Sequence, residues 1–154
     1  MTTNTETLTK PETPTLLLPV LAPVYRLAAP LTELWLRVIS GVALMVHGWP
    51  KIQNPTGAAE MVTGLGFAPG WLWSILLSVT EFTGGLLLAL GLLTRLAAGG
   101  TTVILLVTVY FHWIVLEQGY RGAELSLIWS AVTLTFLAKG GGRYSLDRLI
   151  GREL

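Results

Sequence analysis

The chain contains no cysteine, which excludes a disulfide framework, a thiolate metal site and a thiol relay within this subunit acting alone. Charged residues are also scarce, at 12% of the chain against about 25% in an average soluble domain. The formal net charge is only +1, and nucleic-acid binding requires a basic stripe or patch. We therefore expect no nucleic-acid partner. The shortage of charged residues indicates a lipid environment.

Hydrophobic residues make up 52% of the chain and are concentrated in four runs. A hydrocarbon core of about 30 Å requires about 20 predominantly apolar residues in a helix. The runs predict transmembrane helices at about residues 31–49, 71–93, 96–115 and 123–138. The predicted fold is all-α, a four-helix transmembrane bundle with up-and-down topology, formed by residues 31–152 in the lipid bilayer.

Prolines and glycines set the predicted limits of the first helix and its connections. Thr32 is the expected N-cap, and Pro50 is expected to stop the helix. Residues 1–30 hold five of the eight prolines and predict a Pro-rich mobile or docking arm. Residues 54–70 predict a surface loop with a short helical turn around residues 58–62.

The distribution of lysine and arginine predicts the orientation, since these residues are in excess on the cytoplasmic side of a membrane. Lys51 and Arg121 fall on one side of the predicted bundle. The other side receives the remaining basic residues: Lys10, Arg26, Arg37, Arg95, Lys139, Arg143, Arg148 and Arg152. Both termini are therefore predicted to be cytoplasmic. Arg95 is expected to pair with Asp147 and so hold the C-terminal tail against the bundle.

Glu81 stands near the middle of the second predicted helix, where an ionised group is costly unless it pairs or meets water. The first helix offers partners on one face, because residues spaced by three and four share a face. That face carries Arg37, Gly41, Leu44, Gly48 and Lys51. Its glycines would let another helix approach closely.

Five ionisable residues are predicted to form a polar network in the outer half of the bundle: His47, Lys51, Glu81, His112 and Glu124. The same residues could equally be packing ion pairs, and Glu81 could stay protonated. The two histidines with Glu124 or Glu117 match no specific ligand spacing, so no metal site is predicted.

Together these positions resemble the DoxX family. The resemblance covers about residues 31–152 and rests on Arg37, Gly41, His47, Gly48, Lys51, Glu81, Gly84, Gly85, Gly91, Thr94, Arg95, Gly122, Ala123, Glu124 and the ending 140–152 with Tyr144, Ser145, Leu146 and Asp147. It implies a small bacterial inner-membrane protein of four helices associated with redox functions, in a family named after a subunit of a thiosulfate:quinone oxidoreductase. No residue marks a thiosulfate site, and fold alone does not transfer a reaction.

The first functional hypothesis is a quinone-linked redox component working with other membrane or respiratory subunits. Glu81 would donate or accept a proton, Lys51 and His47 would set its charge state, and the candidate ligand contacts are His112, Glu124 and Arg37. The alternative is a non-catalytic anchor or accessory subunit that docks through the Pro-rich arm. A third hypothesis, a solute or proton pathway, ranks lower because no inverted repeat or centrally broken helix is visible.

Overall fold

The structure, a computed structural model, describes residues 16–152, so residues 1–15 of the predicted arm lie outside the described residues. The described chain is helical and contains no β-strand. Its α-helices are α1 (Ala22–Gln53), α2 (Ala59–Gly64), α3 (Gly70–Leu90), α4 (Thr94–Tyr110), α5 (Gly119–Lys139) and α6 (Leu146–Ile150). A 3-10 turn, Pro19–Leu21, precedes α1, and a π-helical turn, Phe111–Val115, continues α4.

Three of the described helical segments are long and apolar enough to cross a membrane. They are Pro19–Gln53, Gly70–Leu90 and Thr94–Val115, with 35, 21 and 22 residues. The fourth long helix, α5, also has 21 residues, which corresponds to about 31 Å. It carries three charged residues, Arg121, Glu124 and Lys139, where α3 and α4 carry one each, so its membrane crossing stays a prediction.

Helix α1 is longer than its predicted counterpart, and both predicted limits were wrong. It begins at Ala22 and contains Pro30 and Pro50 in its interior. Thr32 is no N-cap, because its hydroxyl donates to the carbonyl oxygen of Ala28 at 2.9 Å, one turn earlier in the same helix. A proline removes one helical hydrogen bond, but helices in membranes tolerate this where the neighbouring turns continue.

Glycines allow α1 and α3 to pack with their backbones almost in contact. A Cβ at Gly41 would lie 2.5 Å from the carbonyl oxygen of Gly85, and one at Gly48 would lie 2.8 Å from the backbone nitrogen of Phe82. Since no side chain fits in that space, the predicted close approach along the Gly41–Gly48 face is confirmed. It aligns the last turn of α1 with the middle of α3.

The first and last long helices meet at one end of the bundle, which we call the Arg37 end. Arg37 is buried and donates from Nη2 to the carbonyl oxygen of Tyr144 at 2.7 Å. Close by, Lys139 at the end of α5 lies 3.6 Å from Glu33 of α1. The opposite end, where α1 finishes, is called the Lys51 end.

The C-terminal tail is held by Asp147, although not through the predicted partner. Its carboxylate accepts hydrogen bonds from the backbone of Leu93 at 2.7 Å and from the backbone and hydroxyl of Thr94 at 2.9 and 2.7 Å. Arg95 instead donates to the carbonyl oxygens of Leu137 and Ala138. The predicted pairing of Arg95 with Asp147 was therefore wrong, because the first residues of α4 present free N–H groups that suit a carboxylate better.

The segment between α1 and α3 is more than the surface loop that was predicted. Its helix α2 begins near the predicted turn and buries Val62 against α3. The Ser74 hydroxyl on α3 donates to the carbonyl oxygen of Pro55 at 2.6 Å, which fixes the chain as it leaves α1. At the Lys51 end, α2 therefore lies beside α3 as a structural wall.

Helices α4 and α5 pack against each other through small and hydroxylated residues. Thr102 donates to the Thr133 hydroxyl at 2.7 Å between the two helices. Leu88, Ala98 and Phe136 belong to the adjoining apolar core. Buried hydroxyls that bond within the protein are the arrangement expected where no water can serve as their partner.

Candidate functional site

An ion pair joins α1 to α3 inside the bundle. Lys51 Nζ, in the last turn of α1, contacts Glu81 Oε2 near the middle of α3. The contact follows from the packing at Gly48, which lies directly over the backbone of Glu81 and Phe82. The Glu81 side chain is 9% exposed and that of Lys51 is 37% exposed. The carboxylate is thus buried against its cation, while the cation still reaches an open space.

That open space is a cleft with a volume of about 510 Å³. It is lined by α2 and the segment after it, by α3, and by α4 with its π-helical turn, and Lys51 of α1 completes the lining. Its lining is mainly aliphatic and aromatic, and the polar contributions come from Lys51, Thr80, Thr108 and His112. The other lining residues include Met61, Val62, Phe67, Trp73, Gly100 and Phe111.

The cleft extends along α4 and its π-helical turn. Its wall there runs from Gly100 to His112, twelve residue steps or about 18 Å of helical rise. Cavities of this size, mainly apolar with a few polar groups, are typical of small-molecule sites. The arrangement suits an apolar molecule with a small polar head.

His112 reaches the cleft from the π-helical turn that ends α4. The backbone N–H of Leu116 bonds to the carbonyl oxygen of Phe111 at 2.9 Å, and the N–H of Gln118 bonds to the carbonyl oxygen of His112 at 3.1 Å. π-Helical turns are rare and are often found at functional sites. The extra residue in the turn changes the direction of the side chains that follow it, and a regular α-helix would have placed them elsewhere.

The His112 ring is oriented by a neighbour on the same turn. Its Nδ1 lies 2.8 Å from Oε1 of Gln118. Because an amide oxygen only accepts hydrogen bonds, Nδ1 carries the proton in this contact. In the neutral ring, Nε2 is then the acceptor.

Two of the predicted network members do not join this site. His47 and Glu124 are both exposed, and Glu124 lies beside the fully buried Ala123. Each residue of a helix is rotated by about 100° from the one before it, so these neighbours of Gly48 and Ala123 point away from the packed faces. The five-residue network predicted from the sequence therefore does not form as such.

Arg37 also lies apart from the cleft, at the opposite end of the bundle. It is fourteen residues before Lys51 in α1, about 21 Å by helical rise. Its guanidinium is 1% exposed and packs over Gly91, where a Cβ would lie 1.3 Å from Nη1. Its contacts tie α1 to the C-terminal tail, and it is not among the residues that line the cleft.

The pKa of Asp147, outside the membrane-spanning segments, is lowered. Burial by itself would raise it, but the hydrogen bonds from the Thr94 hydroxyl and from the backbones of Thr94 and Leu93, with the positive charge of Arg37, outweigh burial. Asp147 is therefore ionised at neutral pH and complements Arg37 electrostatically. Arg37 and Asp147 form an architectural centre at the Arg37 end.

Sequence reasoning missed several residues of the cleft and the residue that contacts His112. Gln118 was not singled out, although it follows His112 by six residues, and Met61 and Phe67 fell in a segment predicted to be a surface loop. Thr80 is next to Glu81 and gave no signal of its own. Within residues 16–152, no three His, Asp or Glu side chains come together as a metal-ligand cluster.

The family model DoxX matches residues 32–113, a span that contains Lys51, Glu81 and His112. Inner membrane protein YqjF of Escherichia coli is 28% identical over 119 residues, which cover 76% of this chain and 90% of that protein. An uncharacterized protein of Haemophilus influenzae is 32% identical over 120 residues, covering 73% of this chain and 86% of that protein.

No solved structure matches the chain. The family model nevertheless covers more than half of the 154 residues, and three of the described helical segments are apolar and long enough for a bilayer. The chain belongs to the DoxX family and is a membrane protein.

Proposed function

We propose that this protein is a bacterial inner-membrane subunit that binds a quinone in the cleft and takes part in quinone-dependent redox chemistry. The observation that carries the proposal is the Lys51–Glu81 ion pair at the wall of an apolar cleft of about 510 Å³. A quinone combines an apolar ring and tail with carbonyl oxygens that accept hydrogen bonds. The cleft offers an apolar lining and a partly exposed ammonium group in one place.

In the proposed topology, α1, α3, α4 and α5 all cross the membrane and both termini are cytoplasmic. The meeting of α1 with α5 and the tail at the Arg37 end supports this arrangement, since an even number of crossings returns the chain to one side. Most lysines and arginines lie towards that end, as the positive-inside rule requires. The cleft then opens in the outer half of the bilayer. The name of the Escherichia coli relative supports the inner membrane as the location.

Lys51 and Glu81 have separate roles in the proposed chemistry. The Lys51 ammonium donates a hydrogen bond to a quinone carbonyl oxygen and favours negative charge that develops there on reduction. Glu81 keeps that ammonium in position and exchanges a proton with it. Reduction of a quinone to a quinol takes two electrons and two protons. The electrons come from a redox-active partner subunit, and the protons come from water and reach the quinone oxygens one at a time through Glu81 and Lys51.

The proposal is tested with the full chain in lipid nanodiscs, by measuring binding of a short-tailed benzoquinone against empty nanodiscs. Glu81→Gln and Lys51→Met are expected to weaken binding by roughly tenfold, the effect of losing one charge-assisted hydrogen bond in a water-poor site. Glu33→Gln is the matched control, because Glu33 forms an ion pair with Lys139 outside the cleft. Quinone reduction in native membranes then compares the same variants. Equal binding and turnover in all four proteins would refute the proposed function.

A second candidate function is a non-catalytic anchor of a larger complex, supported by the exposed N-terminal part of α1. Val24, Tyr25 and Leu27 are 57%, 51% and 62% exposed, although they are apolar and belong to a regular helix. Such a helical extension can pack against a partner with little ordering cost. Co-purification of the full chain and of a chain without residues 1–28 tests this role, since the truncation leaves Glu33 and Arg37 in place. If both chains retain every partner, the docking role is wrong.

A further inference from the structure

We infer that the cleft selects the reduced, hydroxyl-bearing form of its ligand, and that His112 is the residue that makes this selection. The inference rests on the proposed quinone site and specifies which redox state the site prefers. It depends on the contact between His112 and Gln118 and on the position of His112 at the cleft.

The proton of the neutral His112 ring lies on Nδ1. Nδ1 donates to Oε1 of Gln118 at 2.8 Å, so in the neutral ring Nε2 has a lone pair and no proton. His112 is half-buried and lines the cleft. In the proposal Nε2 is the ring atom that faces the cleft and acts as a hydrogen-bond acceptor, since Nδ1 is bonded to Gln118.

The complementary hydrogen-bond donor of the cleft is Lys51. Lys51 lines the same cleft, and its ammonium group has donor capacity beyond the hydrogen bond to Glu81. A quinone carbonyl oxygen accepts from Lys51 but cannot donate to Nε2 of His112. A quinol hydroxyl does both kinds of bonding, since it accepts through oxygen and donates through hydrogen.

This pair of groups favours binding of the quinol over binding of the quinone. When a quinone faces the imidazole acceptor, a lone pair meets a lone pair and no hydrogen bond forms. When a quinol faces it, one hydrogen bond is gained in a site lined mainly by apolar side chains. A single hydrogen bond of this kind corresponds to a preference of roughly fivefold to tenfold in affinity.

Gln118 is a positioning residue in this scheme, because it acts through the histidine ring. The backbone around it is held by the π-helical turn, and Gly122 leaves the room that the Gln118 side chain occupies. A Cβ at position 122 would lie 2.5 Å from Oε1 of Gln118. The orientation of the His112 ring thus depends on Gln118. Substitution of Gln118 can change that orientation without replacing a residue that lines the cleft.

The test compares three ligands with the same tail: a benzoquinone, its quinol, and the dimethyl ether of the quinol, which has no hydroxyl hydrogen. Binding is measured anaerobically to the full chain in nanodiscs, in a buffer alkaline enough to keep imidazole neutral. We expect the quinol to bind roughly fivefold more tightly than the other two. His112→Leu should remove the preference of the site for the quinol over the other two ligands.

Gln118 variants separate ring orientation from a general structural effect. Gln118→Leu is expected to abolish the preference, since Nδ1 then loses its acceptor and the ring is free to change tautomer. Gln118→Glu retains an acceptor oxygen and is expected to keep the preference for the quinol. Melting temperatures within a few degrees of the wild type identify variants that are folded.

The outcomes are distinct. A quinol preference that depends on His112 and on an acceptor at position 118 supports the inference. If all three ligands bind to the wild type with equal affinity, the inference is wrong while the proposed quinone site stands. If none of the ligands binds more strongly than to empty nanodiscs, the proposed function fails and the inference fails with it.

Discussion

Arg37 and Tyr144 are 107 residues apart in sequence, and a hydrogen bond of 2.7 Å joins them. The guanidinium of Arg37 donates from α1 to the backbone of the C-terminal tail and lies over Gly91 at the end of α3. Three segments of the chain therefore depend on one buried cation. This arrangement explains why Arg37 serves the architecture of the Arg37 end and takes no part in the cleft.

Replacement of Gly91 by alanine is expected to destabilise the protein strongly. Gly91 has φ of +70°, and a Cβ there would lie 1.3 Å from Nη1 of Arg37, so the guanidinium must leave its place. We expect a loss of more than about 3 kcal/mol in the free energy of unfolding, measured by SDS titration from mixed micelles.

The matched control for Gly91→Ala is Gly151→Ala. Gly151 has φ of +72°, and within residues 16–152 no atom beyond its chain neighbours lies within 4 Å of its would-be Cβ. Gly151→Ala should therefore lower the free energy of unfolding only by the cost of backbone strain, about 1 kcal/mol. Equal effects of the two substitutions would contradict a steric role for Gly91.

The close packing of α1 on α3 predicts that Gly41→Ala destabilises the protein and that Gly99→Ala does not. Gly41→Ala places a Cβ 2.5 Å from the carbonyl oxygen of Gly85, so the helices must separate, at a cost of about 2 kcal/mol or more. Gly99→Ala places its Cβ at an ordinary 3.6 Å from Leu137. In α4 it is expected to be neutral or to stabilise by up to about 1 kcal/mol, because alanine favours helix. Thermal melting in detergent measures both, and a stable Gly41→Ala protein would contradict the packing described here.

The Lys51–Glu81 ion pair predicts a non-additive double-mutant cycle. Lys51→Met leaves a buried carboxylate without its cation, and we expect it to cost about 3 kcal/mol. Glu81→Gln added to it should recover much of that loss, because no unpaired charge remains. The Glu33–Lys139 pair is the control, since both side chains are largely exposed, at 42% and 66%, and such pairs contribute less than about 1 kcal/mol. Additive effects at Lys51 and Glu81 would argue against direct coupling.

The lowered pKa of Asp147 predicts a specific loss of stability in acid. Its carboxylate is more acidic in the folded chain than its ordinary value of 3.8, so the unfolded chain takes up the proton first as the pH falls. The stabilising contribution is complete above 3.8 and is lost as the pH falls through the lower, folded-state pKa. We therefore expect the difference in melting temperature between wild type and Asp147→Asn to be constant near neutral pH and to narrow below about pH 4. A difference that does not change with pH would contradict the ionised state of Asp147.

Much of the fold was predictable because the bilayer imposes local requirements. Long apolar runs must become helices, and the runs around Gly70–Leu90 and Thr94–Val115 were placed to within a few residues. The start of α1 was not predictable, because the cost of Pro30 within a helix depends on what surrounds that turn. The small wall formed by α2 was missed for a similar reason, since six residues carry too little periodicity to show what they pack against.

The sequence by itself determined that this protein is helical and lipid-embedded, and that a carboxylate as deep as Glu81 needs a partner, since these follow from composition, run length and the cost of charge in lipid. Only the tertiary structure decided which polar groups meet. Lys51 was joined to Glu81, Arg37 to Tyr144, and His112 to a glutamine on a π-helical turn. Helical periodicity records which side chains share a face of one helix, whereas contacts between helices depend on how glycines and turns bring distant segments together.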